Sequence, residues 1–326
     1  MVLILSSAGD LSTELVMDWL RHYQHPFIRI NSHDLLDKAF SMALSPAQLT
    51  IDSKVIKVAQ INAVWFRKFG FFKKSKYYQH KVQHLEKGAT TQIHSEYQAL
   101  LRGFTALFQD KYWLNSPQTV AINKIQALNM ALKCGLNTPA TYVVNTRQQV
   151  ETLASKHSLI SKSVYEPFFL NTSKGTYSMY TKEITQEVAG ALPQHFYPSL
   201  VQSKIEKMYE LRVFYLEGDF YAMAIFSQQD TQTALDFRQY NHKVPNRKAP
   251  YCLPPTLKER LHQLMQKLEI NCGSIDIIRG VDQQYYFLEI NPVGQFGMTS
   301  IPCNYDLHQI VAQHLLNKDL THGTTN

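Results

Sequence analysis

The sequence predicts a mixed α/β and α+β protein, and three observations carry that reading. The chain opens as β-α-β: an apolar run Val2 to Ser6, a helical pattern Thr13 to Tyr23, and a second apolar run Phe27 to Ile30. From Val201 onward strand-like runs dominate, with only two further helical patterns. Near the end, Gly273 to Ile278 and Tyr285 to Asn291 read as the two strands of a hairpin turning at Gly280 to Gln283.

The elements follow in order. Leu15, Val16, Trp19 and Leu20 put an apolar stripe on the first helix. The opening lacks a G-x-G-x-x-G, which argues against a dinucleotide site. Leu49 to Ile51 and Val55 to Val58 predict a hairpin, and Val64 to Phe69 a strand. Helical periodicity runs from about Tyr77 to Asp110, with a break expected near Gly103. Asn115-Ser116-Pro117 marks a boundary. A helix from Asn123 to about Cys134-Gly135, a short strand Leu159 to Lys162, a hairpin-like stretch Phe168 to Tyr180 and a helix Glu183 to Leu192 come next. Strands at Val201–Ile205, Arg212–Leu216 and Phe220–Phe226, then a helix Thr256 to Leu268, lead into the final hairpin. A last helix covers Leu307 to Leu316, with a frayed tail Thr321 to Asn326. This gives three expected domains: an N-terminal α/β domain over 1–115, a small central subdomain over 116–200, and a C-terminal subdomain over 201–326.

Bulk properties narrow the class. With 44% hydrophobic and 12% aromatic residues in 326, the chain can bury real cores in two or three domains. No apolar run reaches membrane length, and the opening has no basic region typical of a signal peptide. Four scattered cysteines, Cys134, Cys252, Cys272 and Cys303, show no metal spacing, so reduced thiols in the cytoplasm are expected. The net charge of +7 points to an acidic partner: nucleic acid, an acidic peptide or ATP. Basic residues gather at Arg67-Lys68, Lys73-Lys74-Lys76 and Lys243 to Lys248, without a zinc-finger or RNP-like motif. A solvated basic face accounts for Lys73 to Lys76 equally well. No Ser-His-Asp order or H-E-x-x-H pairing supports nucleophilic hydrolysis or zinc chemistry.

The final hairpin carries the chemistry. Side chains alternate along a strand, so Glu289 and Asn291 share a face. The neighbouring strand has one lone acid, Asp276. Grouped hard oxygens of this kind suit Mg²⁺, whose shell is completed by water and substrate phosphate. A hairpin with a wet polar face is the other reading. Two upstream lysines, Lys124 and Lys162, could each neutralise and position a phosphate. Either alone would read as a surface charge.

Taken together these segments resemble the ATP-grasp superfamily. "LEINPVGQFG" from Leu288 looks like its metal strand, and Asn123-Lys124 through Thr141 looks like its "NK…A…G…P.T" segment. Lys162 closes a short strand where the second lysine is usual. Leu200 to Glu206 resembles the hinge strand that holds adenine, followed by Tyr209-Glu210-Leu211-Arg212-Val213. The match covers about 115 to 310. It implies an ATP-grasp fold with an N-terminal pre-ATP-grasp domain, with ATP and Mg²⁺ bound. Lys124 and Lys162 would clamp phosphates. Gln202, through its side chain or neighbouring backbone, with the Ser203 and Ile205 backbones, would bind adenine, and Glu210 the ribose. Asp276, Glu289 and Asn291 would hold the metal, and Arg212 and Arg238 would stabilise transferring charge.

A narrower resemblance appears at the N-terminus. Ala63-Val64-Trp65-Phe66-Arg67-Lys68 is similar to the "W-[YF]-R-[RK]" strand of graspetide synthetases, the peptide-crosslinking ATP-grasp ligases that include microviridin ligases. "ILSSAGDLSTELVMDWL" followed by "FIRIN" looks like their grasp-with-spasm maturases. Asp236-Phe237-Arg238 stands where those enzymes have Asp-Trp-Arg. The resemblance implies a ligase that activates Asp or Glu side chains of a ribosomal precursor peptide as acyl phosphates. It would then join them to Ser, Thr or Lys as ω-esters or ω-amides. The partner would be a precursor with a leader and an acidic core, not nucleic acid or membrane, and a homodimer stays open. Arg67 would contact the acidic peptide or the phosphates. Glu183 and Glu187, four apart on one helix face, would pair with a basic leader residue. Trp65 and Phe66 are expected in the core. The alternatives are a RimK-like or other small-molecule carboxylate–amine ligase, and a non-catalytic nucleotide-binding regulatory module.

Overall fold

The computed structural model describes residues 1–165, 169–172, 175–178, 181–228 and 245–323. Two compact units result. Unit 1 comprises Met1–Val120, Gln295–Ser300 and Asp306–Asn326; unit 2 comprises Ala121–Gly294 and Ile301–Tyr305.

Unit 1 begins with β1 (Val2–Ser6), α1 (Leu11–His22) and β2 (Phe27–Asn31), the expected β-α-β. After a short α2 (Asp34–Asp37), the strands β3 (Phe40–Leu44), β4 (Ala47–Ile51) and β5 (Lys54–Lys57) form an antiparallel sheet that includes the predicted hairpin. Then come β6 (Ala63–Phe66), α3 (Lys87–Ala106), β7 (Tyr112–Leu114) and α4 (Pro117–Val120). The main sheet is fully parallel in the order β2-β1-β6-β7. Its central strands are buried on both faces, which is why β1 is an unbroken apolar run. Trp65 and Phe66 lie in the core as expected, 1% and 7% exposed. The predicted break near Gly103 is corrected: α3 runs through Gly103. The interruption lies at 83–86, between a π-helical turn Tyr78–Val82 and α3. A single glycine only weakens a helix; it does not stop one that is packed.

Unit 2 opens with α5 (Lys124–Lys133), β8 (Thr141–Thr146), α6 (Arg147–Ala154) and β9 (Leu159–Lys162). The hairpin β10 (Phe169–Thr172) and β11 (Gly175–Ser178) follows, as the sequence predicts. β12 (Lys182–Ile184), α7 (Gln186–Ala191) and β13 (His195–Ser203) complete a sheet in the order β12-β9-β13-β8. The second sheet holds β14 (Lys207–Leu216), β15 (Asp219–Phe226), β16 (Arg247–Tyr251), β17 (Cys272–Gly280) and β18 (Tyr285–Asn291), with α8 (Pro255–Lys267) preceding β17. Its order is β16-β15-β14-β17-β18, antiparallel throughout. One face is packed by α5 and α8 through Ala127, Leu128, Leu261 and Leu264 against Leu211, Val213, Ile275, Ile277 and Phe287. Each buried leucine, valine, isoleucine or phenylalanine among them contributes about 1.5–3 kcal/mol of transfer free energy.

The last helix, Leu307–Gly323, packs within unit 1 rather than with the preceding hairpin, which differs from the expected 201–326 subdomain. Leu307, Val311, Ala312 and Leu315 bury its apolar side, and Asp319 lies 2.8 Å from His25 Nε2. The expected division at 200/201 falls inside unit 2, where β13 and β14 are joined by three residues.

Candidate active site

The site grows from the register of β17 and β18. Asp276 stands opposite Glu289, and Ser274 opposite Asn291. Opposed residues of an antiparallel pair share a face, so all four project to one side. A bulge between Asp276 and Ile277 leaves Leu288 without a partner. That extra residue turns Phe287 into the helix-covered core while Glu289 and Asn291 stay on the other face. Strict alternation alone would place Phe287 beside Glu289. The one-face reading of Asp276, Glu289 and Asn291 therefore agrees with the structure.

β14 extends this face. Arg212 is opposite Asp276, and its Nη1 donates to both carboxylate oxygens, at 2.7 and 2.8 Å. Glu210, two residues earlier, is 7% exposed and takes an ion pair from Lys207, with Ser227 Oγ at 3.5 Å. The opposite face of the same strands is the helix-covered apolar core, while on this face the polar groups sit among buried Phe214, Met223, Ile225 and Ile278.

Lys124 comes from α5. Asn123 caps that helix, its side chain accepting from the amides of Ile125 and Gln126 at 2.9 and 3.1 Å. Gly135, at φ +73°, ends it in the left-handed region. Lys124 Nζ donates to the Ser163 carbonyl at 3.2 Å and lies 3.3 Å from Glu289 Oε2. It thus joins the start of α5, the residue after Lys162, and the metal-ligand candidate of β18. Lys162 ends β9 as expected, paired with Leu200.

Gln202 is placed differently from one expected role. Its side chain is buried in the middle of the sheet, and Nε2 donates to Thr141 Oγ1 at 2.9 Å. That bond engages one of the two amide hydrogens of Gln202, and the backbone from Ser203 to Ile205 lies beside it. The amide of Ser203 donates to the Ala140 carbonyl, while its buried Oγ has no partner among the described residues.

Three further expectations change. Arg67 is 2% exposed and forms an ion pair with Asp10, its guanidinium lying over the rings of Trp65 and Phe296. Its charge is turned inward, not offered to a peptide or phosphate. Glu183 and Glu187 do not share a helix face: Glu183 lies in β12, opposite Ile160, and Glu187 in α7. Thr185 caps α7, its side chain accepting from Val188, so the helix starts after Glu183. Glu183 instead pairs with Lys204 at 3.0 Å. Arg238 and the Asp236-Phe237-Arg238 motif lie outside the described residues.

Sequence reasoning passed over two positions on this face. Ser274 is 1% exposed, and its Oγ has no partner among the described residues. Gly294 leaves no room for a side chain: a Cβ there would meet Arg212 Nη2 at 2.8 Å and Asn291 Cγ at 3.2 Å. The donor set fits a hard divalent cation. Two carboxylates and a carboxamide converge on one face, and the chain's own cations, Arg212 and Lys124, rest on those carboxylates.

Residues 1–121 match the family model described as the MvdD pre-ATP grasp domain. Over its whole length the chain is similar to a RiPP-associated ATP-grasp ligase from Chryseobacterium gregarium, solved with ADP and a leader and core peptide. The identity is 23% and the TM-score 0.85, covering 97% of this chain and 96% of that one. This chain has the ATP-grasp fold. The N-terminal match covers the Met1–Val120 part of unit 1. The macrocyclase MdnC from Microcystis aeruginosa, bound with precursor peptide MdnA, shares the ATP-grasp fold at 25% identity and TM-score 0.82, with 97% and 99% coverage. PsnB, complexed with a phosphomimetic variant of its minimal precursor, Mg and ADP, does so at 18% identity and TM-score 0.79, with 98% of each chain covered. No curated protein matches the sequence.

Proposed function

We propose that the protein is an ATP-dependent peptide ligase that crosslinks a ribosomal precursor peptide. The observation that carries this reading is the polar face of Asp276, Glu289 and Asn291 with Lys124 on Glu289, set in the fold of ligases solved with precursor peptides, two of them also with ADP. Mg²⁺ held by Asp276, Glu289 and Asn291 would supply charge neutralisation on the phosphates. Lys124 and Lys162 hold phosphates as point charges from two segments. The backbone from Ser203 to Ile205 takes adenine, and Glu210 accepts from ribose. Arg212 and Arg238 stabilise negative charge on the transferring group.

A substrate Asp or Glu carboxylate takes the γ-phosphoryl group, and ADP leaves. A Ser or Thr hydroxyl or a Lys amine then attacks the acyl carbon, losing its proton as phosphate departs. The product is an ω-ester or ω-amide. Exposed Glu183 and Glu187, on consecutive elements, contact the leader. The reaction belongs in the cytoplasm, and no helix among the described residues is long and apolar enough to cross a membrane. Light scattering distinguishes monomer from homodimer.

A small-molecule carboxylate–amine ligase would use the same polar face. Against it stands the closer fold similarity to peptide-bound ligases, TM-scores 0.79 to 0.85, than to D-alanyl-alanine synthetase A from Vibrio cholerae, 0.55 at 14% identity. A non-catalytic module is disfavoured by the retained Asp276, Glu289 and Asn291. Incubation with ATP, Mg²⁺ and a precursor encoded beside this gene, read by mass spectrometry, tests the proposal. Successive losses of water support it; an unmodified precursor alongside ligation of a free amino acid would replace it.

A further inference from the structure

The segment from Phe71 to Ala106 packs on unit 1 through its own small core. Phe72, Val82 and Tyr97 are buried, with Leu36, Tyr78, Ile93 and Leu101 around them. Tyr97 Oη donates to the Ser32 carbonyl at 3.2 Å, which anchors the segment. The outward side is lysine. Lys73, Lys74, Lys76, Lys81 and Lys87 are all exposed, and between residues 71 and 87 the only acid is Glu86. Five minus one gives +4, more than half of the chain's +7.

None of these five lysines forms an ion pair among the described residues; Lys74 instead lies over the Phe71 ring at 4.7 Å. Asp37, the acid that reaches this segment, is spent on backbone. Its two oxygens accept from the amides of Lys76 and Tyr77 at 3.0 and 2.9 Å. The positive field is therefore left for something outside the chain. Apolar groups are interleaved with it: Phe71, Tyr77 and Leu85 are 39%, 44% and 45% exposed.

We propose that this face docks an acidic segment of a peptide, with carboxylates on the lysines and apolar side chains on Tyr77 and Leu85. This rests on the peptide-ligase reading for its source, the segment being a part of the substrate away from the residues joined. The chemistry favours a peptide over nucleic acid. The lysine run over residues 71–87 contains no arginine, the side chain whose planar fork reads phosphate, and the one arginine of the segment, Arg102, stands near the far end of α3. One of the exposed rings, that of Phe71, carries Lys74 over its face. Spaced ammonium groups steer and hold flexible carboxylates without demanding a fixed geometry.

The test uses the full chain and two fluorescein-labelled probes, a peptide of Glu and Leu and a single-stranded oligodeoxynucleotide of equal charge. Anisotropy is read at low and physiological salt. The Lys73→Glu/Lys74→Glu/Lys76→Glu variant is expected to raise the peptide Kd by about 10-fold or more, with added salt weakening the wild-type complex. ATP affinity by calorimetry and the melting temperature should not change. An unchanged peptide Kd overturns the proposal. So does an oligonucleotide that binds as tightly as the peptide and is lost in the same variant. If no precursor is ever crosslinked, the ligase reading fails on its own; loss of the acidic peptide in the variant would still uphold docking here.

Discussion

Arg212 and Asp276 meet across β14 and β17, Nη1 donating to both carboxylate oxygens at 2.7 and 2.8 Å, and both residues are 7% exposed. A pair this deep offsets the desolvation of each partner by the charge of the other. It also means that the face assigned to the metal is held in shape by a cation from its own sheet. Asp276→Asn should therefore do two things. It leaves Arg212 buried without its counter-charge, which costs about 3–5 kcal/mol of stability. It also removes a carboxylate from the metal face, so crosslinking stops. Urea unfolding measures the first and precursor mass the second. A variant as stable as wild type would show that the pair does not carry the sheet.

Lys124 bridges Glu289 and the Ser163 carbonyl. In Lys124→Met and in Lys162→Met, nucleotide binding should weaken by about 1.5–3 kcal/mol, the worth of a charge-assisted hydrogen bond, or roughly 10- to 150-fold. Calorimetry with a non-hydrolysable ATP analogue reads this. Wild-type affinity in both variants removes the clamp. Glu289→Ala should abolish turnover while circular dichroism stays native, since Glu289 lies on the polar side of β18, away from the core.

Gly294 is tested by one methyl group. A Cβ placed 2.8 Å from Arg212 Nη2 forces the guanidinium away from Asp276 or the turn away from Asn291. Gly294→Ala should cost about 1–3 kcal/mol, as overpacking does, together with most of the activity. Kinetics beside a melting curve separate the two effects. Activity at the wild-type level would mean that neither group needs its present place.

Legibility followed sequence distance. Glu289 and Asn291 could be placed on one face because strand alternation is local, and Lys124 because Asn123 caps its helix two and three residues ahead. The bulge at Leu288 was hidden, since it depends on how β17 aligns with β18. Glu183 to Leu192 carries helical spacing throughout, yet pairing of Glu183 with Ile160 claims it for a strand. Arg67 looked like a ligand-facing charge because its partner Asp10 lies 57 residues earlier. The last helix is legible in sequence, but nothing local says that it belongs with the first unit.

That same Asp10 predicts how unit 1 responds to acid. Burial pushes its carboxyl up, but the hydrogen bond and charge of Arg67, with Thr13 and Lys68, more than offset this and hold it well below the usual carboxylate range. Gln295 adds a further donor from the segment after β18. A folded-state value depressed below the unfolded one gives stability that is fully present above the unfolded value of about 3.9. That stability is lost as pH falls below it toward the depressed folded value. Urea midpoints should thus drop steeply below about pH 4 in the wild type. Asp10→Asn cannot titrate, so it should be less stable at neutral pH, by about 3–5 kcal/mol for the stranded Arg67 charge, and its midpoint should fall less on acidification. Parallel acid slopes in the two proteins would place the acid sensitivity of unit 1 elsewhere.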